Sequence, residues 1–155
     1  MPSPVYMKID KIEGSVSNPN KETDKSIEIL KFEHKVYMPT RKLAKVASGV
    51  RQHEEFLVVK NMDLTSPLLF QKLCDQDELQ VDLFWFIVEK GSENRYYRHT
   101  LKQAKIESIR NYMPDREDPN QQHLNHMEEV TFSYKIIEWA YGNSENEDPT
   151  FEDKC

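Results

Sequence analysis

Hydrophobic and polar positions alternate along most of the chain, and period-two alternation is the mark of strands with one buried face. Val5, Met7 and Ile9 alternate with Tyr6, Lys8 and Asp10. Leu30, Phe32, Val36 and Met38 share one parity, with Glu33, Lys35 and Tyr37 on the other. The short run Phe56-Leu57-Val58-Val59 is apolar on both sides. Leu79, Val81, Leu83, Trp85 and Ile87 line one face of a longer strand, while Phe84, Phe86 and Val88 line the other. A strand apolar on both faces is expected to be covered twice, as a central strand or against a partner outside the domain. Between Arg95 and Tyr112 the apolar parity switches between Leu101 and Ile106, which predicts a bulge or bend. The residues Lys90-Gly91-Ser92-Glu93-Asn94 read as the turn of a hairpin. A last strand starts near Val130 and runs on through Trp139 and Tyr141.

One helix interrupts this pattern. Ser66 suits an N-cap and Pro67 the first helical position, where no amide hydrogen is needed. Leu69 with Leu73, and Phe70 with Cys74, are spaced four apart and predict a helix from about Pro67 to Gln76 with one apolar face. Cys74 is expected there as a small buried hydrophobe. Asp75, Asp77 and Glu78 gather at the helix C-terminus, where acids are disfavoured; they are read as solvated. The expectation is a mainly β fold: a closed β-barrel built from two antiparallel sheets with one short α-helix.

Composition sets outer bounds. The chain has 155 residues, 27 acids against 21 bases, and a net charge of −6. One domain is expected at that length, and the acidic balance argues against nucleic acid as a partner. No apolar stretch approaches the ~20 residues that span a bilayer, so no membrane insertion is expected. The first eleven residues carry no apolar core of the kind a secretory signal needs. Two cysteines, Cys74 and Cys155, are too few for a disulfide framework. The charge is unevenly spread. From Pro39 to Arg51 the chain makes a long loop in which Arg41, Lys42, Lys45 and Arg51 meet no acid and are interleaved with Leu43, Val46 and Val50. The pattern suits a partner-binding loop and a solvated one equally. After Gly142 the periodicity fades into five acids and one lysine. Residues 1–142 are therefore expected as the folded domain and 143–155 as a flexible acidic tail.

Catalytic signals are sparse. No nucleophile elbow occurs, and four glycines supply no phosphate-binding loop. His34 and His99 lie on apolar strand parities, where a hydrogen-bonded structural role is the default. His123 and His126, three apart and near Glu128 and Glu129, are candidate metal ligands, although no third ligand has a recognisable spacing.

Five segments in order resemble the Hcp family, the tube protein of bacterial type VI secretion systems. They are Pro4-Val5-Tyr6-Met7-Lys8-Ile9-Asp10 with Ile12 and Gly14; Phe32-Glu33-His34-Lys35-Val36 with Pro39-Thr40; Lys60, Asp63 and Ser66-Pro67-Leu68; Leu101 with Ala104-Lys105-Ile106 and Ile109; and Glu129-Val130-Thr131-Phe132-Ser133-Tyr134-Lys135-Ile136-Ile137-Glu138-Trp139. The resemblance implies a non-enzymatic subunit without a cofactor. It implies six-fold rings that stack into a tube, a contractile sheath, a VgrG-type spike trimer and small effectors in the lumen. Such a subunit would be cytoplasmic before firing and then secreted without a signal peptide. The loop after the Pro-Thr pair reaches a neighbour in this family. That makes Arg41, Lys42, Leu43, Lys45, Val46, Val50 and Arg51 the expected subunit or ring-stacking interface, with Phe84 and Phe86 under a ring neighbour. The alternatives are a metal- or ligand-binding barrel using the His123 cluster and a stand-alone secreted effector.

Overall fold

A computed structural model describes residues 3–41, 46–47 and 49–155. The elements in order are β1 (Val5–Ile9), β2 (Ile27–Ile29), β3 (Lys31–Glu33), β4 (Val36–Tyr37), β5 (Thr40–Arg41), β6 (Val46–Ala47), β7 (Gln52–His53), β8 (Phe56–Asn61), α1 (Ser66–Asp75), β9 (Leu79–Glu89), β10 (Ser92–Tyr112), β11 (Met127–Ser133), β12 (Ile136–Gly142) and β13 (Glu147–Lys154). All pairings are antiparallel. Sheet A runs β2-β1-β9-β10-β12-β13, and sheet B runs β3-β8-β11-β10.

The long strand β10 belongs to both sheets. Its first half lies between β9 and β12, and its second half pairs with β11. The bend falls where the parity switch predicts it. The ladder to β9 slips between Leu101 and Ala104, and Gln103 takes a left-handed φ of 51°. On the other edge, Lys102↔Ile136 and Lys105↔Ser133 keep one register across a break at Tyr134-Lys135. The single last strand read from the sequence is thus two strands, β11 and β12, that turn the corner with β10. Lys90 and Gly91, with φ of 50° and 79°, make the tight β9–β10 turn, a geometry that matches strand twist.

The closed barrel is corrected. The strand order ends at β2 on one side and β3 on the other, and these two, consecutive through Leu30, do not pair with each other. Leu30 instead donates its N–H to Val59 O across at β8 (2.8 Å). Between the sheets lies a continuous apolar core that includes Met7, Phe56, Leu69, Leu83, Leu101, Ile106, Phe132 and Ile137, all fully buried.

The helix starts one residue earlier than expected, with Thr65 at the N-cap. The Ser66 hydroxyl is occupied elsewhere: it donates to Glu128 Oε2 (2.7 Å) and accepts from Asp63 N–H (3.0 Å). Only Leu69 of the apolar face is fully buried; Phe70 and Leu73 are half-covered. Cys74 is exposed, not buried as expected, because the short helix presents little more than one turn to the core. At the C-terminus Lys72 pairs with Asp77 (3.0 Å), so the acids there are partly compensated.

The acidic tail is also corrected. Residues from Glu147 to Lys154 form β13 on the outer edge of sheet A, in register with β12 from Ile136↔Lys154 to Ala140↔Thr150. Backbone pairing and a few side-chain anchors hold this strand where apolar periodicity is absent.

Candidate assembly surface

The root of the 39–51 loop is built from two short pairs. Val36 and Tyr37 face His53 and Gln52, and Thr40 and Arg41 face Ala47 and Val46. Lys42, Leu43 and Lys45, the middle of the expected interface, lie outside the described residues. Val50 is 66% exposed. Arg51 lies against the C-terminal strand. Its Nε donates to Asp153 Oδ2 (2.6 Å), and Nη2 reaches both Asp153 Oδ1 and Lys154 O.

Asp153 also anchors a half-buried polar chain that sequence patterning did not reveal. His53 Nε2 lies 2.8 Å from Asp153 Oδ2, His53 Nδ1 lies 2.7 Å from Tyr134 Oη, and Tyr134 Oη lies 2.7 Å from His34 Nε2. The carboxylate only accepts, so His53 carries its proton on Nε2. The Tyr134 hydroxyl bridges the two rings, donating to one and accepting from the other. The Arg51 hydrogen bonds, opposed by burial, hold Asp153 down at about 2. Burial, and then the neighbouring His53, hold His34 at about 4. Burial pushes Tyr134 well above the ordinary phenol range. The chain ties together the strands before and after the loop, the β11–β12 corner and β13. Nothing in it is an activated nucleophile: the nearby Cys155 thiol is pushed up by burial and by Asp153, which suppresses the thiolate. The alternation of Phe151 and Asp153 is the one signal that hinted at a strand here.

Phe84 and Phe86, expected beneath a ring neighbour, are already covered within the chain. They are 6% and 3% exposed within the single chain, in a second cluster with Tyr6 that Val16 packs against. The polar 13–25 connection folds over them, and the Arg95 guanidinium sits 5.4 Å from the Phe84 ring centroid. Alternation showed that this face is covered, but the cover comes from the chain itself. Around it, Arg95 pairs with Glu22 (3.0 Å), and Arg98 pairs with Glu138 (2.6 Å) and Glu147 (2.7 Å).

The His123 cluster is not brought together. Glu128 is fully buried and bound to the equally buried Lys60 (2.7 Å), with Ser66 on the same oxygen. Glu129 pairs with Arg110 (3.1 Å), and both histidines are exposed. Among the described residues no group of three His, Cys, Asp or Glu side chains is placed to hold a metal ion. Lys60, Asp63, Ser66 and Glu128 instead form the knot that seats α1. Asp63 accepts from Thr65 and lies 3.1 Å from Lys60 Nζ; these contacts outweigh burial and hold its carboxyl below the usual range.

The family model described as type VI secretion system effector, Hcp, matches residues 6–141. The chain belongs to the Hcp family. It is 31% identical over 132 residues to the major exported protein of Pseudomonas aeruginosa, covering 83% of this chain and 77% of that one. The structure of Hcp1 from E. coli EAEC 042 superposes with a TM-score of 0.79 at 27% identity, over 99% of this chain and 98% of that one. Secreted protein Hcp3 from Pseudomonas aeruginosa superposes at 0.72 and 26% over the same shares. This Hcp-family chain is therefore a type VI secretion protein related to exported proteins, and the mainly β fold with one short helix is the family's fold.

Proposed function

We propose that this chain is the tube subunit of a type VI secretion system. It assembles as a six-fold ring, and the rings stack into an inner tube that a contractile sheath drives outward. A VgrG-type spike caps the tube, and small effectors ride in the lumen. The subunit acts without catalysis, waits in the cytoplasm and is exported when the machine fires. The observation that supports this most is the end-to-end likeness to Hcp proteins, one of them described as secreted, at 26–27% identity over 99% of the chain. A basic segment within a chain of otherwise opposite charge adds to it, since head-to-tail contacts between unlike surfaces close rings or propagate tubes.

Electron microscopy of the purified protein should show six-fold rings. A species that stays monomeric at high concentration would overturn the reading. Reversing Arg41, Lys42 and Lys45 to glutamate should weaken ring–ring association more than ring formation, and high salt should mimic the change. Normal stacking of that variant in low salt would remove the loop as the electrostatic contact.

A further inference from the structure

Residues directly opposite one another in a ladder share a face of the sheet. The core-facing side of sheet B can thus be followed row by row. Val58, Val130 and Ile109 form one row, and Lys60, Glu128 and Asn111 the next. One step further, past the last paired residues Asn61, Met127 and Tyr112, stand Met62, His126 and Met113. The Met62 N–H donates to His126 O at 3.0 Å, so the register continues beyond the strands. Parity therefore puts a methionine on each side of one histidine, on the side of the sheet that carries the core. Burial has already ended there. Val58 and Val130 are fully buried, whereas Met62 is 45% and Met113 60% exposed. All three residues line one open depression of about 840 Å³.

The rest of the lining narrows what this row can hold. Its other polar residues are the neutral amides Asn61, Gln121, Gln122 and Asn125 and one cation, Arg116; no carboxylate lines it among the described residues. Hard divalent cations take oxygen ligands, carboxylates above all, and zinc takes thiolates, imidazoles and carboxylates. Two thioethers and an imidazole are instead the soft, neutral set that suits Cu(I). Opposed residues have Cβ atoms about 4.5–5.5 Å apart. A thioether sulfur lies two bonds beyond its Cβ on a flexible side chain, so both sulfurs can reach an ion held over the central imidazole. The neighbouring row favours a cation. Its buried Lys60 meets two carboxylates, Glu128 at 2.7 Å and Asp63 at 3.1 Å, which leaves one negative charge in excess. Glu128 Oε1 is buried and has no hydrogen-bond partner among the described residues. Arg116 offsets part of that charge. The set differs from the His123 grouping, whose carboxylates are spent on Lys60 and Arg110.

We propose that Met62, His126 and Met113 form a binding site for a soft monovalent cation, Cu(I). Two thioether sulfurs and one imidazole nitrogen supply its ligands at the open end of sheet B. The ion binds and leaves in one oxidation state, so no oxidant or reductant takes part. All three ligands come from a single chain, and the site therefore stands or falls independently of the tube-subunit reading.

The test uses Ag(I), a soft monovalent ion that needs no reductant, and then Cu(I) without oxygen. The protein is the full chain carrying Cys74→Ser and Cys155→Ser, so that no thiol competes. The methyl groups of its six methionines, isotope-labelled, are followed by NMR. The Met62 and Met113 methyls and the His126 ring should shift together and saturate at one Ag(I) per chain. Met38, 45% exposed but outside the depression, should stay still up to that ratio. Equal shifts at Met38 would overturn the site by showing adventitious binding to any exposed thioether. Met62→Leu, Met113→Leu and His126→Gln sit at exposed positions and nearly conserve volume, so melting without metal should match that of the parent. In competition with a chromophoric Cu(I) chelator, each should bind more weakly. The drop should be at least the roughly 10–100-fold that follows loss of a group merely supporting a ligand. Undiminished affinity in the Met62→Leu, Met113→Leu double variant would overturn the proposal, as would Zn(II) displacing Ag(I) at equal concentration.

Discussion

His99 makes the stability of this protein depend on pH below neutrality. The ring sits on β10 with 8% exposure, and its centroid lies 5.2 Å from that of Phe32 and 5.6 Å from that of Phe56. Its Nδ1 accepts the Trp85 indole N–H at 2.9 Å. An indole nitrogen can only donate, so a proton on Nδ1 would set two donors against each other inside an aromatic cage. Burial, and then His34, lower its pKa to about 3 from the ordinary 6.5. The unfolded chain therefore takes up the proton first. The stabilising contribution is complete above the unfolded value and is lost as pH falls toward the folded one. Between about pH 7 and pH 4.5 the loss amounts to two pH units of linkage, or about 2–3 kcal/mol. His34, held at about 4, adds to the loss with the same sign. Asp153, held at about 2, titrates below this window. His99→Asn keeps an acceptor where Nδ1 stands and removes the titration. Urea unfolding at the two pH values should show the wild type losing about 2–3 kcal/mol more than the variant on acidification. Equal losses in the two proteins would refute the reasoning.

Lys60→Met alone should cost about 3–5 kcal/mol in chemical denaturation by stranding the buried Glu128 carboxylate, and adding Glu128→Leu should recover most of it. Asp153→Asn should lower stability at neutral pH by about 1–3 kcal/mol and speed amide exchange in β13 and at the loop root. The wild-type advantage over this variant should fade as pH drops from about 4 toward 2, because the folded carboxylate has the lower pKa. Gly142→Ala should lower the melting temperature, because Gly142 has φ +131° and a Cβ there would lie 2.2 Å from Asn146 O. Unchanged melting would mean that the β12–β13 turn relaxes freely.

What could be read from the sequence was whatever depends on local periodicity. Alternation gave β1, β9 and β10, a short apolar run gave β8, and the parity switch near Gln103 marked the bend because a bulge moves every later side chain to the other face. The ordered motifs carried the family. What could not be read depended on contacts distant in sequence. β13 has one large apolar residue, Phe151, and is held by pairing to β12 and by Arg51 and His53, which lie 102 and 100 residues from Asp153. The cover over Phe84 and Phe86 comes from a polar connection with only Val16 to announce it. The Glu128–Lys60 pair, 68 residues apart, took a residue that local spacing had grouped with two histidines.

Because β10 carries 21 residues through both sheets, the two layers cannot slide over one another like stacked cards. Relative displacement must either shear a ladder of backbone hydrogen bonds loaded side by side or straighten the bend at Gln103. Side-chain contacts between layers yield one at a time, whereas a ladder pulled along its length resists as a unit. A subunit pushed along an axis would thus transmit force through continuous backbone. Compliance would be left to the two-residue pairs β4–β7 and β5–β6, which stand outside that frame.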